Sequence, residues 1–260
     1  ACAGADLVVT ARRAADLEPF AAEIRATGRR VAMVALDVRD QASIRAMAPQ
    51  ATRAFGRLDI LVNNAGCNVR KRALDVTWDD WNLILETNLR GTFFVTQAIG
   101  RYMIEAKYGR IISMSSVSAL GSPGQPNYGA AKAGIIGLSW STANAMAKYN
   151  VTSNAIMPSG ATRMIDSTPR GRQVFEQTGK WPSEQAIGTE RDPDNVAPLV
   201  VFLASEQAGH VNGQVFHSFG YGYTLMALPE PIRRVEADPS WPSLMIAEHG
   251  SDFDEDVDAL

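Results

Sequence analysis

The chain has 260 residues, 46% of them hydrophobic and 20% charged, with a formal net charge of −3. That is enough for one sizeable domain with a real core and excludes a wholly disordered chain. It also excludes a general basic surface for nucleic acid. Two cysteines, Cys2 and Cys67, form neither a disulfide framework nor a metal motif, and a reducing cytoplasm is the simplest compartment for them. No apolar run approaches the roughly 18 residues that a membrane helix needs.

In chain order, Leu7-Val8-Val9 reads as a strand and 14–27 as a helix ended by Gly28. Residues 31–36 read as a strand and 41–55 as a helix with Asp40 as its N-cap. Ile60-Leu61-Val62 is a strand, 77–106 a long helical region capped by Thr77, 110–114 a strand and 127–149 a long helix. Residues 151–157 and 214–217 complete the strands, with a helix at 193–204. Between them, 163–191 lacks periodicity and carries Pro169, Gly171, Gly179 and Pro182, the pattern of a long loop or lid. The last ten residues carry five acidic side chains and read as a solvated tail.

Continuously apolar strands alternating with helices define an α/β, doubly wound, Rossmann-like parallel sheet with helices on both faces. Ligands of such folds lie at the carboxyl ends of the strands. The distinctive residues cluster there. Asn63-Asn64-Ala65-Gly66 follows one strand, and its small residues let backbone approach a flat ligand. Tyr128 and Lys132 lie four apart on one helix, so they share a face. A lysine charge about 4 Å away at an effective dielectric near 20 is worth roughly 4 kcal/mol, which bounds the lowering of the tyrosine pKa at about 3 pH units. Ser115 and Ser116 end the preceding strand, and Asn88 falls inside a long helix, where asparagine is a poor helix former.

Five collinear stretches carry a resemblance: LDILVNNAG at 58–66, TNLRGTFF at 87–94, GRIISMSSVSALGSPGQPNYGAAKAG at 109–134, SNAIMPSGATRM at 153–164 and VAPLVVFLAS at 196–205. Together they resemble the classical short-chain dehydrogenase/reductase family. The resemblance implies NAD or NADP as cofactor and reversible oxidation of an alcohol to a carbonyl. It assigns Tyr128 as general acid/base, Lys132 as the group that lowers its pKa and meets the nicotinamide ribose, and Asn88 as holder of a relay water. The serine that holds the substrate oxygen is Ser115 when counted back from Tyr128 and Ser116 when counted forward from Gly109-Arg110. A deletion inside a strand would flip every later side chain while a loop tolerates one, which favours Ser116.

The resemblance also implies a cofactor wall of Asp37 and Val38, then Asn63, Ala65 and Gly66, and finally Pro158, Ser159, Gly160 and Thr162. Ser159 stands where the family has glycine. At the end of the strand 7–9, NAD enzymes of this type carry an acidic residue for the ribose hydroxyls. Here stands Ala11, followed by Arg12 and Arg13, and guanidinium groups suit a 2′-phosphate. NADP is therefore the expected cofactor, with NAD the alternative.

Two departures stand out. The family opens with a strand and a Thr-Gly-x-x-x-Gly-x-Gly turn that cradles a pyrophosphate, and this chain opens after the place where they would stand. The expectation is a sheet lacking that first strand and about 25 to 30 residues of a βα unit, with weak cofactor binding by the chain as it stands. At the other end, 223–260 forms an extension, and the stretch from about 212 to 234 loosely resembles the dehydrogenase domain of peroxisomal multifunctional enzymes, which act on 3-hydroxyacyl thioesters. Its Pro229, Pro231, Trp241 and Pro242 are expected to pack against a neighbouring surface.

The expected organisation is thus an oxidoreductase domain over 1–222, with a lid at about 163–191, and the extension. The expected activity is hydride transfer on a small-molecule alcohol or ketone, with no metal, no nucleic acid and no membrane. The resemblance implies a homodimer or homotetramer through the two long helices. The rival expectation is a non-catalytic homologue, which the intact Asn–Ser–Tyr–Lys set opposes.

Overall fold

Residue 109 onward shows why the sheet is built as it is. Ile111 and Ile112 are adjacent in sequence, and both are fully buried on opposite faces, which only a strand covered on both sides permits. The structure is a computed structural model and describes residues 1–229. Residues 1–226 form one compact unit and 227–260 a second. The expected roles of Pro231, Trp241, Pro242 and the acidic tail lie outside the described residues.

The strands are β1 (Leu7–Ala11), β2 (Val31–Ala35), β3 (Ile60–Asn63), β4 (Gly109–Met114), β5 (Val151–Ser159), β6 (Val215–Phe219) and β7 (Gly222–Leu225). The helices are α1 (Glu18–Ala26), α2 (Gln41–Phe55), α3 (Trp78–Ile84), α4 (Gly91–Ala106), α5 (Pro126–Met146), α6 (Arg163–Asp166), α7 (Pro169–Thr178), α8 (Pro182–Ala186) and α9 (Ala197–Ala204). This is the α/β Rossmann-like arrangement expected from the alternation. Helices α2 and α4 cover Val34, Leu36, Ile111 and Val151 on one face, and α9 covers Ile112 and Ile156 on the other. Among the described residues no helix is long and apolar enough to cross a membrane.

The single parallel sheet expected from sequence is corrected in two respects. The strands fall into two ladders, a parallel β1–β2 pair and a five-stranded sheet ordered β3-β4-β5-β6-β7. Ile60 and Val62 of β3 are 37% and 39% exposed, whereas β4 and β5 are buried along most of their length. The final strand, β7, is antiparallel to β6 and was not expected. A turn at Gly220, with φ of 54°, folds it back, and glycine makes that conformation easy.

Local chemistry explains most helix boundaries. Asp40 caps α2 by accepting from Ala42 N–H, as expected, and Gly56 closes the helix at φ 83°. Thr77 and Asp80 form a reciprocal capping box at α3. The first expected helix is tighter at its start, a 3-10 turn at Ala14–Leu17 before α1. The region 77–106 is one continuous helical run, but its centre, Leu85–Arg90, is π-helical.

The expected loop at 163–191 is instead three short helices. Thr162 caps α6, Thr168 caps α7 ahead of Pro169, and Gly179 ends α7 at φ 71°. These signals are strong individually, but each helix is too short to display a hydrophobic period. Asp166 ties the segment together, accepting from Ser183 N–H at 3.0 Å and from Ser183 Oγ at 2.6 Å. Asp166→Ala removes both bonds, a local loss of about 2 kcal/mol. Limited proteolysis should then cut within 163–191 before any other site, and an unchanged cleavage pattern would contradict the tie.

Candidate active site

The carboxyl ends of the parallel strands bring the sequence-selected residues to one edge. Asn63 at the end of β3 is buried, and its Nδ2 donates to Thr96 Oγ1 at 2.9 Å and to Ser113 Oγ at 3.2 Å. That anchors the loop 64–66, whose residues are exposed. A β-carbon on Gly66 would lie 2.7 Å from Asn88 Oδ1 and 3.7 Å from Lys132 Nζ. Only glycine therefore fits between the loop and these two side chains.

Asn88 lies in the π-helical turn and is 0% exposed. Its Nδ2 donates to Ile84 O and to Cys67 O, both at 2.9 Å. The wider turn is how a mid-helix asparagine is accommodated, and such bulges often mark functional sites. Asn88 Oδ1 has no hydrogen-bond partner among the described residues, so it offers a buried acceptor beside Gly66.

Ser115, Ser116, Tyr128 and Lys132 come together at the junction of β4 and α5. Ser115 is 2% exposed, and its hydroxyl donates to the Lys132 carbonyl at 2.8 Å. Ser116 caps the 3-10 turn that follows by accepting from Ser118 N–H, and its side chain acts to lower the Tyr128 pKa. Ser115 is thus turned toward backbone. Lys132 is 5% exposed, and its ammonium donates to Met114 O at 2.7 Å and lies 5.4 Å from the centre of the Tyr128 ring.

The electrostatics correct one expectation. Burial raises the Tyr128 pKa above its ordinary value, and the Ser116 hydroxyl and the Arg70 charge pull it back down. Lys132 is not among the groups that lower it. Burial lowers the Lys132 pKa to about 8, against an opposing pull from Cys67. Desolvation disfavours the charged form of each group.

The remaining expected residues line the same edge less closely. Ala11 ends β1. Arg13 is bound to Asp16 at 2.9 Å, whereas Arg12 is exposed and makes no ion pair among the described residues. Asp37 N–H donates to Ser43 Oγ, and its carboxylate accepts from Arg39 N–H, both at 2.9 Å. Val38 packs so closely on Gly91 that a β-carbon there would lie 2.8 Å away, which joins the β2 end to α4. Pro158 and Ser159 remain within β5. The Ser159 hydroxyl sits 3.2 Å from His217 Nε2, so the departure from glycine is absorbed by a side-chain contact. Gly160 packs against Pro193, and Thr162 is occupied in capping α6.

Sequence reasoning missed two neighbours of Tyr128, Cys67 and Arg70. Cys67 was weighed only as a disulfide or metal ligand. Arg70 sits in the basic run Arg70-Lys71-Arg72 just after the Asn63–Gly66 motif, and that adjacency was the available signal. Among the described residues no three His, Cys, Asp or Glu side chains gather as a metal site.

Comparison with known proteins agrees with this geometry. A family model described as enoyl-(acyl carrier protein) reductase matches residues 1–224. The chain is 36% identical over 225 residues to (2S)-[(R)-hydroxy(phenyl)methyl]succinyl-CoA dehydrogenase subunit BbsD of Thauera aromatica, covering 86% of this chain and 88% of that one. A short chain dehydrogenase from Mycobacterium avium is similar in structure, with a TM-score of 0.80, 28% identity and coverage of 96% of this chain and 85% of that one. A gluconate 5-dehydrogenase from Burkholderia cenocepacia J2315, solved with NADP and tartrate, gives a TM-score of 0.71 at 29% identity, covering 82% and 84%. The chain belongs to the short-chain dehydrogenase/reductase family, nicotinamide-dependent oxidoreductases that transfer hydride on hydroxy and keto substrates.

The Gly66 contact gives a direct test of the site's packing. Gly66→Ala would force the Asn88 amide or the loop to move, at a cost of about 1 to 3 kcal/mol. We expect a lower unfolding midpoint and lost activity. A variant as stable and as active as the parent would contradict the close approach.

Proposed function

We propose that this protein is an NADP-dependent oxidoreductase interconverting a secondary alcohol and a ketone, with a 3-hydroxyacyl or 3-oxoacyl thioester, or a related hydroxy or keto compound, as substrate. The observation that carries this reading is the buried Tyr128 with the buried Lys132 one helical turn away, its ammonium 5.4 Å from the tyrosine ring and fixed at the end of β4 by Met114 O. The BbsD relative is named as a CoA-thioester dehydrogenase, and the gluconate dehydrogenase was solved with NADP. Both are consistent with the reading.

The nicotinamide cofactor would supply the hydride as NADPH in reduction and accept it as NADP⁺ in oxidation. Exposed Arg12 after the uncharged Ala11 suits a 2′-phosphate, and the exposed backbone of Ala65 and Gly66 allows a flat ligand to approach. Asp37, Val38 and Asn63 support that wall, and Pro158, Ser159, Gly160 and Thr162 bound its far end. Ser116 holds the substrate oxygen beside the tyrosine. Tyr128 gives the proton at its phenol oxygen to the carbonyl in reduction and takes it back in oxidation. Lys132 and the unpartnered carbonyl of Asn88 carry the proton onward. We infer assembly as a homodimer or homotetramer through α4 and α5, where Phe93 of α4 is 42% exposed.

Three substitutions separate the roles, with NADPH consumption and NADPH binding as readouts. Tyr128→Phe should lower kcat about 100-fold or more with NADPH affinity unchanged. Ser116→Ala should lower activity and cost about 1 kcal/mol of stability through loss of the 3-10 cap. Ser115→Ala should cost about 1 kcal/mol of stability, because it removes the buried bond that ties the end of β4 to the Lys132 carbonyl. Near-parental activity of Tyr128→Phe would overturn the assignment.

A further inference from the structure

Helices α2 and α4 pack together over one face of the sheet, with Val34, Leu36 and Ile111 beneath them. A groove of about 530 Å³ runs between the two helices. Ile44, Arg45 and Ala48 line it from α2, and Phe94, Ala98 and Arg101 line it from α4. Spacings of three and four residues put each set on one side of its helix. Pro49 and Tyr102 continue the two walls. Ile44 and Ala48 are buried, and Phe94, Ala98 and Tyr102 are half-buried, so the floor is apolar. Arg45 and Arg101 are exposed and, among the described residues, make neither an ion pair nor a hydrogen bond. No aspartate or glutamate lines the groove. Glu105, one turn beyond Arg101, is exposed and forms no ion pair among the described residues.

Unpaired surface arginines are ordinary. Here two of them flank one apolar hollow, and no carboxylate offsets them. An apolar floor with a few charged groups is the make-up of a small-molecule site, and the volume falls within the range of about 300 to 1,000 Å³ for such sites. A protein partner would engage roughly 20 to 30 residues on this side, and ten line the groove. A second copy docking groove to groove would set arginine against arginine. The occupant that fits is therefore a small molecule with an apolar body and an anionic head. Residues 41–49 and 94–102 bound the groove, about 12 Å along a helix axis. That length suits an extended chain better than a single ring.

We propose that the groove between α2 and α4 is a second ligand site, which binds a medium-chain carboxylate. The chain lies over Ile44, Ala48 and Ala98, and the head pairs with the guanidinium groups of Arg45 and Arg101. Phe93, on which assembly through α4 rests, projects about 140° around the helix from Ala98, on a different face from the groove. No groove residue belongs to the cluster around Tyr128 and Lys132, so the inference stands apart from the oxidoreductase reading.

Calorimetry with decanoate, decanol and acetate tests the site. The parent protein should bind decanoate about 10-fold or more tighter than either of the others, because only decanoate fills the floor and meets the arginines. The double variant Arg45→Gln/Arg101→Gln should bind decanoate about 10-fold or more weaker, the loss of charge-assisted pairing, with its NADPH affinity unchanged. Ala98→Trp fills the hollow and should abolish binding. If Ala98→Trp does not fold, the double variant decides alone. Decanoate affinity unchanged in the double variant would overturn the inference. So would equal affinity for decanoate and decanol, or no binding of decanoate at millimolar concentration.

Discussion

The Lys132 ammonium donates to the Met114 carbonyl at 2.7 Å, while the Ser115 hydroxyl donates to the Lys132 carbonyl at 2.8 Å. These two bonds run in opposite senses between the end of β4 and the first turns of α5. They fix the helix against the strand at the point where the reactive side chains emerge. A third contact presses the same way, since a β-carbon on Gly129 would lie 2.8 Å from Ser118 O. With the helix so placed, Tyr128 and Lys132 are buried together at the end of β4. The cost is a buried amine, and its lowered pKa records that cost.

The second support comes from across the sheet. The π-helical turn places Asn88 where its amide bridges Ile84 and Cys67, and Gly66 makes room for it. Asn63 in turn fixes the loop that carries Gly66 through Thr96 and Ser113. The site is thus built from strand ends and helix starts held by side-chain bonds to backbone. Such a frame is stiffer than one made of loops, and it suits proton transfer, which requires groups within hydrogen-bond reach.

Much of this could be read from residues alone, for identifiable reasons. Strands β4 and β5 are covered on both faces, so their continuous apolar runs announced them. The α2 and α3 starts were legible because Asp40 and Thr77 are chemically explicit caps. The choice of Ser116 over Ser115 followed from strand periodicity, and the Ser115 hydroxyl is engaged by the Lys132 carbonyl. The helices at 163–186 stayed hidden because each is too short to show a period, although Thr168, Pro169 and Gly179 marked the ends of α7. Strand β7 was missed because it is short and exposed, with no alternation to detect. The direction of the Tyr128 pKa was misjudged because a pairwise charge argument omits desolvation, which acts on every buried group in the cluster. Arg70 was overlooked for a related reason. Only the tertiary structure shows that Lys71 and Arg72 have carboxylate partners and that Arg70 has none among the described residues.

For the chemistry, burial sets the charge states. Lys132 carries its charge below about pH 8 and loses it above, a range in which an ordinary lysine would remain fully charged. The most direct test is a pH titration of the Lys132 ε-carbon by NMR in protein carrying labelled lysine, with Lys132→Met to assign the signal. The account predicts a midpoint near 8. A midpoint near the ordinary lysine value of about 10.4 would contradict the buried placement on which the site depends.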